Sequence, residues 1–511
     1  MATTTRPPAR GASALSWLCL ALAGGAWFFA GGRYVVPAAA WLAPVFMLRW
    51  LRGRRPLLGF PLAAAAAGVA TFFGWRGIAD VMMPTPLYAA FALAAAVVYL
   101  LPYAADRAFA PRLRGFASTL VFPAAVVTLE YGFSLISPLG TWNALAYTQV
   151  DNLALIQIAS LTGLYGVSFV VAWFGAVANW AWERGFTGPA LRRGAVTYAV
   201  VLVGILLYGG GRLALTRPAE SVRLAGIIAR PFFLSAHPEM REALLGGEPL
   251  DPEQERTFRA ETAAITDDLL ARTRAEARAG AKVVVWGEAA AQLPAAEEAS
   301  LVARGRELAR EEDIYLALAF ATLEPEAEKP VTNKLVLLEP DGNVAWDYVK
   351  SVPVPGPEAA ISVRGDGRLP LLDTDYGRLG GAICYDMDFP ALIRPAGRAN
   401  VDIMLVPAHD WWELGDLHAD LAIFRGVENG FSVFRPDNEA VSVATDYLGR
   451  PQAKMDYYAF DDAVTVAMLP TAGVRTIYTA VGDVFAWVTC GLLVILAAVA
   501  LFARRGTAYG A

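Results

Sequence analysis

The chain carries little charge for its length. Of its 511 residues only 18% are charged, whereas 56% are hydrophobic and the mean hydropathy is +0.41. A soluble globular chain carries about 25% charged residues, so this composition excludes a wholly soluble protein. The 11% of aromatic residues and the net charge of -5 exclude a disordered chain. A pI of 5.5 provides no basic surface for nucleic acid, and we predict no nucleic-acid partner.

Cysteine and histidine are also scarce. Cys19 and Cys490 lie in apolar runs, which leaves Cys384 alone in the more polar stretch between them and excludes a disulfide there. A single cysteine in such a stretch is either a buried structural thiol or a nucleophile. The three histidines are scattered: His237, His409 and His418. Glycine-rich phosphate loops are absent from the sequence as well, so we predict no metal site and no cofactor.

The apolar excess is concentrated in two parts of the chain. A helix that crosses a bilayer needs about 20 mostly apolar residues. Runs of that kind predict about eight transmembrane helices, at 13–32, 34–51, 56–75, 84–104, 116–137, 154–180, 195–216 and 478–502. We therefore predict a membrane domain of seven helices at 1–216, an α/β domain at 217–476, and an eighth helix with a short tail at 477–511.

The positions of arginine in the short loops predict the orientation of these helices. Arginines cluster before the first span, in alternate loops and in the tail, from Arg6 and Arg10 to Arg504 and Arg505, whereas the loop at 138–153 has no lysine or arginine. Cytoplasmic loops carry the excess of positive charge, so we expect domain 217–476 outside the cytoplasm. One acid, Glu130, falls inside the fifth span, where it marks either a functional site or a structural polar pair.

Residues 217–476 alternate β-rich and helical patterns, which is typical of a layered α/β domain. A turn at Pro340-Asp341-Gly342 predicts a hairpin between strands at 334–339 and 344–349. The other predicted strands lie at 222–228, 282–286, 314–321, 378–383, 403–406, 431–434 and 440–445. The predicted helices lie at 252–279, 297–312, 389–399 and 417–428.

Three polar residues follow the ends of β-rich runs: Glu288, Lys350 and Cys384. Active-site groups in α/β folds often lie just beyond the carboxyl ends of strands. A carboxylate there can take the proton of a thiol, and an ammonium can stabilise the thiolate and an oxyanion. Such a set would form a thioester that a second nucleophile resolves.

The order of these residues resembles the nitrilase (carbon-nitrogen hydrolase) superfamily, and with eight spans around it the chain resembles the apolipoprotein N-acyltransferase family. The resemblance covers nearly the whole chain. In the membrane part it rests on residues 129–131, 137–142, 145–149 and 163–169. In the α/β part it rests on residues 285–288, 348–350, Glu358, 383–385, 410–412, His418 and 425–430.

The resemblance implies a four-layer αββα fold and a ping-pong acyltransferase in the bacterial inner membrane, with the catalytic domain on the periplasmic side. It implies Glu288 as general base, Cys384 as nucleophile and Lys350 as support for the oxyanion. Glu358, Tyr385 and Asp386 would support them, while Trp142, Trp411 and Trp412 would either bind substrate or pack in the core. The donor would be a phospholipid and the acceptor a diacylglyceryl-lipoprotein. We expect the protein to act as a monomer.

The sequence departs from the family pattern at four places. Gly287 replaces the proline before the base, and Asp386 replaces a glutamate after the nucleophile. The segment at 356–359 reads Gly-Pro-Glu-Ala, and the segment at 436–439 reads Pro-Asp-Asn-Glu where asparagine and glycine are usual. Two alternatives stay open: a membrane-tethered amidohydrolase of the same superfamily, and a catalytically silent scaffold in lipoprotein handling.

Overall fold

The computed structural model describes residues 10–187, 189–216, 220–246, 248, 250–459 and 464–502. Arg6, Arg504 and Arg505, which contribute to the predicted orientation, lie outside the described residues. The chain divides into two compact units. The first draws on Met1–Ser137, Asn143–Gly211 and Asp483–Ala511, and the second on Pro138–Trp142 and Arg212–Gly482.

The described part of the first unit is helical. Its helices are α1 (Arg10–Phe28), α2 (Pro37–Gly53), α3 (Pro56–Gly74), α4 (Thr85–Tyr99), α5 (Leu101–Phe109), α6 (Val121–Ile136), α7 (Leu153–Ile156), α8 (Ala159–Thr162), α9 (Leu164–Glu183), α10 (Pro189–Leu215) and a last helix at Val484–Phe502. Its packed interior contains aromatic side chains, among them Trp50 and Tyr103.

Six helical segments of the described chain are long and apolar enough to cross a membrane. They are Pro56–Gly74, Thr85–Arg112, Gly115–Ile136, Leu164–Glu183, Arg192–Leu215 and Val484–Phe502. The predicted count of eight is not confirmed. The described apolar part of α1 is Ala14–Phe28, and α2 has 17 residues with Pro44 inside it, so neither is among the six.

The predicted span at 154–180 is also divided. Helices α7 and α8 are four residues each, and Gly163 then adopts a φ of 64° before α9 begins at Leu164. Positive φ favours glycine because it has no Cβ. Hydropathy alone treats this stretch as one run, whereas the backbone turns within it.

Glu130 is buried on α6 and has a partner within the first unit. Its Oε1 accepts a hydrogen bond of 2.8 Å from the backbone N–H of Leu145. A buried carboxylate needs such donors. The contact supports the structural alternative for this residue, in which Glu130 holds the segment Leu145–Gln149.

The second unit is an α/β structure. Its strands are β1 (Ser221–Ile227), β2 (Val283–Trp286), β3 (Ala291–Pro294), β4 (Tyr315–Leu323), β5 (Val331–Leu338), β6 (Val344–Val349), β7 (Leu371–Thr374), β8 (Gly377–Gly381), β9 (Ile403–Leu405), β10 (Ala408–His409), β11 (Ser432–Arg435), β12 (Asp437–Asn438), β13 (Val441–Thr445), β14 (Pro451–Asp456) and β15 (Val464–Pro470). Its helices are α11 (Phe233–Ala236), α12 (Pro238–Gly246), α13 (Pro252–Arg278), α14 (Glu298–Glu312), α15 (Pro357–Ile361), α16 (Pro390–Arg398), α17 (Gly415–Asn429) and α18 (Ile477–Val481).

Two mixed sheets form the centre of this unit. Among the described residues the first sheet runs β15-β1-β2-β4-β5-β6 with β3 beside β4, and the second runs β14-β13-β11-β9-β8-β7. Strands β5 and β6 pair antiparallel, as the predicted hairpin requires. Six of the described strands were not predicted: β3, β7, β10, β12, β14 and β15. The first four of these have only two to four residues each.

Side chains of both sheets meet in one buried core. Val284 and Leu318 of the first sheet belong to the same cluster as Leu379 and Phe434 of the second. Helices α13 and α14 pack on the first sheet, and α16 and α17 pack with the second. The predicted αββα sandwich is confirmed. Helix α13 begins at an Asp251 capping box, in which the Asp251 carboxylate accepts from Gln254 N–H at 2.9 Å.

Candidate active site

The carboxylate of Glu288 lies just beyond β2 and is almost completely buried. Its Oε1 accepts hydrogen bonds from Asn333 Nδ2 at 2.7 Å and Lys350 Nζ at 2.8 Å. Its Oε2 accepts from the backbone N–H of His409 at 2.8 Å. Burial opposes the charge, but the Lys350 ammonium and these donors hold the pKa of Glu288 below its ordinary value. Glu288 is therefore ionised and held in place.

Lys350, at the end of β6, lies between two carboxylates. Its Nζ donates to Glu288 at 2.8 Å and to Glu358 at 2.8 and 3.1 Å. Glu358 is in turn fixed by the backbone N–H of Val354 at 2.7 Å. Burial disfavours the ammonium, yet Glu288 and Glu358 raise the pKa of Lys350 well above its ordinary value. The lysine is a permanent cation.

Cys384 follows β8 and has an unusual backbone. Its φ is 47°, in the left-handed region that residues with a Cβ rarely adopt. Burial, Glu288 and Asp410 raise the pKa of the thiol to about 12, while His418 and Lys350 act in the opposite direction. The thiol is therefore protonated at rest, so attack by sulfur requires a base to take its proton.

On the other side of the sulfur lies His418, on α17. Its Nδ1 is 4.0 Å from Cys384 Sγ and 2.8 Å from Asp410 Oδ1, and Asp410 Oδ1 is itself 3.9 Å from the sulfur. Its Nε2 is 3.2 Å from Asp388 Oδ1. Both ring nitrogens thus face carboxylates.

Arg435 completes this side of the site. Its Nη2 donates to Asp410 Oδ2 at 2.6 Å and lies 3.1 Å from His418 Nδ1, and its Nη1 bonds to Asp437. Burial opposes the charges, but His418 and Arg435 keep the pKa of Asp410 far below its usual range. Burial and the neighbouring Asp410 raise the pKa of Asp437 well above its usual range.

Cys384, Asp410 and His418 lie close enough together to be considered as ligands of a metal ion. One ligand atom each of Cys384, Asp410 and His418 lie within 4.8 Å of one another. The guanidinium of Arg435 already neutralises Asp410, and both ring nitrogens of His418 face carboxylate oxygens to which they can donate. A metal ligand needs a free imidazole nitrogen, so the charge arrangement here does not fit a cation.

The predicted supporting residues lie around the sulfur. Asp386 accepts from Tyr348 OH at 2.7 Å, Val352 N–H at 2.8 Å and Ile383 N–H at 3.0 Å. It therefore ties the Cys384 turn to the end of β6. Tyr385 donates its hydroxyl to the carbonyl of Pro138 at 3.0 Å.

The three tryptophans have different surroundings. Trp142 donates its indole N–H to Asp388 and its ring centroid lies 5.8 Å from that of His418. Trp412 is 52% exposed and packs edge-on against Tyr458. The carbonyl of Trp411 accepts from Leu414 N–H at the start of α17. Of the three, Trp142 is the one whose described contacts are with the site.

Two departures from the family pattern fit each other. A Cβ on Gly287 would lie 2.6 Å from Oδ1 of Asn438, so a side chain at position 287 would force Asn438 to move. Asn438 Nδ2 donates to the Glu288 carbonyl at 2.6 Å, and its Oδ1 accepts from Ala229 N–H at 2.9 Å. Gly287 thus leaves room for Asn438, which holds the backbone of Glu288 in place.

Sequence reasoning brought together Glu288, Lys350, Cys384 and Glu358, but it assigned no role to Asp388, Asp410, His418 or Arg435. Asp410 directly follows β10, and His418 lies eight residues later on α17. No sequence spacing predicts that either of them contacts Asp388. One signal in the sequence could have pointed to these residues: a charged residue that directly follows an apolar strand, as Arg435 follows Val433 and Phe434.

Residues 250–454 match the family model described as Carbon-nitrogen hydrolase. The sandwich is therefore a nitrilase-like α/β domain, with a buried glutamate, lysine and cysteine beyond its strands, and the same chain contains apolar helices. A solved amidase from Nesterenkonia sp. AN1 is 20% identical, with a TM-score of 0.39 over 50% of this chain and 93% of that one.

Residues 23–177 match the model described as Apolipoprotein N-acyltransferase N-terminal domain. The apolipoprotein N-acyltransferase of Geobacter metallireducens is 28% identical over 80% of each chain. That of Bradyrhizobium diazoefficiens is 26% identical over 71% of this chain and 70% of its own length. Together these matches support an N-acyltransferase of the nitrilase superfamily, and with the apolar helices they indicate a bacterial membrane protein.

Proposed function

We propose that the protein transfers an acyl chain from a phospholipid to the N-terminal amine of a diacylglyceryl-lipoprotein, through a thioester on Cys384. The observation that carries this proposal is a series of four side chains linked by hydrogen bonds, Cys384, Glu288, Lys350 and Glu358, of which the first three are buried. The same chain also matches the N-terminal domain model of apolipoprotein N-acyltransferases. Acyl chemistry of this kind needs a nucleophile, a base and a fixed cation. The amidohydrolase and scaffold alternatives are not favoured by the relatives.

In the first half-reaction the thiol proton passes to Glu288 as the sulfur attacks the ester carbonyl of the phospholipid. Lys350 stabilises the oxyanion that forms. The carbon–oxygen ester bond then breaks, and Glu288 returns the proton to the leaving alkoxide. The products are a Cys384 thioester and a lysophospholipid.

In the second half-reaction the free amine of the acceptor attacks the thioester carbonyl. Glu288 takes a proton from the nitrogen, the carbon–sulfur bond breaks, and the sulfur leaves with the electron pair. The proton then returns to the sulfur. The products are an amide on the lipoprotein and the free thiol, so the two half-reactions balance.

The site is proposed to face the periplasm from the inner membrane, with the protein acting as a monomer. The arginine distribution supports this orientation. Arg368, whose side chain is 89% exposed, offers a test. Arg368→Cys should react with a membrane-impermeant maleimide in intact spheroplasts, and labelling only after lysis would place the site on the cytoplasmic side.

The function is tested on the purified full-length protein with a phospholipid that carries a labelled acyl chain. Intact mass should increase by one acyl group on Cys384, and an equal amount of lysolipid should be released. A diacylglyceryl-cysteine peptide should then discharge the adduct as an amide. Cys490→Ala is the matched control and should keep the adduct, whereas Cys384→Ala should lose it. Release of free fatty acid instead of amide would indicate hydrolysis and contradict the proposal.

A further inference from the structure

Cys384 lies beside two basic side chains, each held between two carboxylates. Lys350 has Glu288 and Glu358, and the imidazole of His418 has Asp410 at 2.8 Å and Asp388 at 3.2 Å. The first arrangement belongs to the proposed catalytic set. The second is nearly completely buried and has no role in the reaction described above.

The contacts favour a charged His418 ring. A carboxylate oxygen accepts hydrogen bonds, and each ring nitrogen has one to donate to: Nδ1 lies 2.8 Å from Asp410 Oδ1 and Nε2 lies 3.2 Å from Asp388 Oδ1. Nδ1 also lies 3.1 Å from Arg435 Nη2, a longer contact than the one to Asp410, whose carboxylate lies between the two cations and offsets both. Asp410 stays ionised because Arg435 donates to its other oxygen at 2.6 Å. Asp388 is held in position by the indole N–H of Trp142 on Oδ2 and by Thr141, whose hydroxyl donates to its backbone carbonyl at 3.0 Å.

We propose that His418 is a constantly protonated imidazolium that stabilises the Cys384 thiolate, and that Asp388 is the positioning residue that keeps it charged. The inference rests on the proposed function, because His418 would act when negative charge forms on the sulfur, as the thiol attacks the ester and as the thioester breaks. The Nδ1–Sγ separation of 4.0 Å places the cation next to that charge. Burial opposes the charge of His418, but Asp410 and Asp388 raise its pKa well above the ordinary value.

The charged and titratable groups around His418 come from several elements. They are Cys384, Tyr385 and Asp388 in the turn after β8, Asp410 after β10, Arg435 at the end of β11, and Asp437 on β12. Of the anions in this set, Asp410 lies 3.9 Å from the sulfur, and Arg435 offsets its charge. The His418 ring, 4.0 Å from the sulfur, therefore supplies positive charge next to it.

The test uses alkylation of Cys384 by iodoacetamide in the full-length protein, in a Cys19→Ala/Cys490→Ala background. His418→Gln should slow alkylation about tenfold at every pH from 7 to 9, the factor that one unit of thiol pKa produces. His418→Lys restores a positive charge and should recover most of the rate. Asp446→Asn, at a buried aspartate of a distant turn, is the matched control and should alkylate at the wild-type rate.

Asp388→Asn separates charge from structure. It can still accept from Trp142, but it lowers the pKa of His418. Alkylation should therefore match the wild type at the low end of the pH range, where the ring stays protonated. It should fall towards the His418→Gln rate as pH rises and the ring becomes neutral. A purely structural role of Asp388 predicts one constant factor at all pH values.

A direct measurement of the ring charge completes the test. With three histidines in the chain, ¹⁵N-labelled imidazole signals can be assigned by substitution. Both ring nitrogens of His418 should be protonated at pH 8; a neutral ring, or unchanged alkylation in folded His418→Gln, would overturn the proposal. Alkylation needs no acyl donor, so failure of acyl transfer would leave this result standing, and failure here would leave acyl transfer unaffected.

Discussion

The two sides of Cys384 use the same arrangement with different residues. On the side of the first sheet, Lys350 lies between Glu288 and Glu358. On the side of the second sheet, His418 lies between Asp388 and Asp410. A lysine keeps its charge at neutral pH unaided, whereas a histidine depends on its partners to do so. We therefore expect Lys350 to keep its charge when its neighbours change, whereas the charge of His418 depends on its neighbours.

The largest expected effect concerns the base. Glu288→Gln removes the proton acceptor and should slow thioester formation about 10²- to 10⁴-fold, the range typical of general-base loss. It is measured as the rate of acyl-adduct appearance by intact mass. Glu324→Gln, at an exposed glutamate, is the control and should behave as wild type. If His418→Gln slowed the same step as much as Glu288→Gln, the two sides would not have different roles.

The second prediction concerns Arg435, the cation that donates to Asp410 next to His418. Arg435→Met leaves Asp410 and Asp437 buried without their partner and should destabilise the folded protein by about 3–5 kcal/mol. The measurement is thermal unfolding in detergent. Arg368→Met, at an 89% exposed side chain, should leave the midpoint unchanged. A wild-type midpoint for Arg435→Met would show that the histidine side does not depend on this guanidinium.

The third prediction concerns pH and Asp386, which ties the Cys384 turn to the lysine side. Burial raises the pKa of Asp386 to about 6, above its unfolded value of about 3.9. A raised pKa contributes stability that is full below the unfolded pKa and is lost as pH rises through about 6. The unfolding midpoint of wild type relative to Asp386→Asn should therefore increase as pH falls from 7 to 4. A difference that is independent of pH would contradict the assignment.

The smallest effect is expected at Gly287, on the lysine side. Gly287→Ala places a Cβ against Asn438 and should cost about 1–3 kcal/mol of stability, as overpacking usually does. In a double-mutant cycle with Asn438→Ala the two costs should not add, because the smaller side chain removes the clash. Additive costs would show that glycine is required for another reason.

The sequence predicted more of the lysine side than of the histidine side. Glu288, Lys350 and Cys384 each follow a β-rich run, so their positions can be inferred once the strands are predicted. Asp388 lies within a short turn, Asp410 in a loop and His418 inside a helix. No local sequence pattern relates these three residues. They meet because the turn after β8 and the loop after β10 lie next to the first turn of α17.

In the membrane part, composition predicted the helices, but the count of eight is not confirmed. Apolar content identifies helical stretches, but it does not show the φ of 64° at Gly163 or the short length of α2. Both depend on backbone turns that hydropathy does not record.

The sequence by itself determined the division into apolar helices and an α/β sandwich, and the acid, base and thiol beyond the strands. These depend on periodicity and strand ends, which are local properties of the chain. Only the tertiary structure decided that His418 lies beside Cys384, that its ring lies between Asp388 and Asp410, and that Asn438 packs against Gly287. Those features depend on distances between residues far apart in sequence, and electrostatic and steric energies follow distance in space rather than order along the chain.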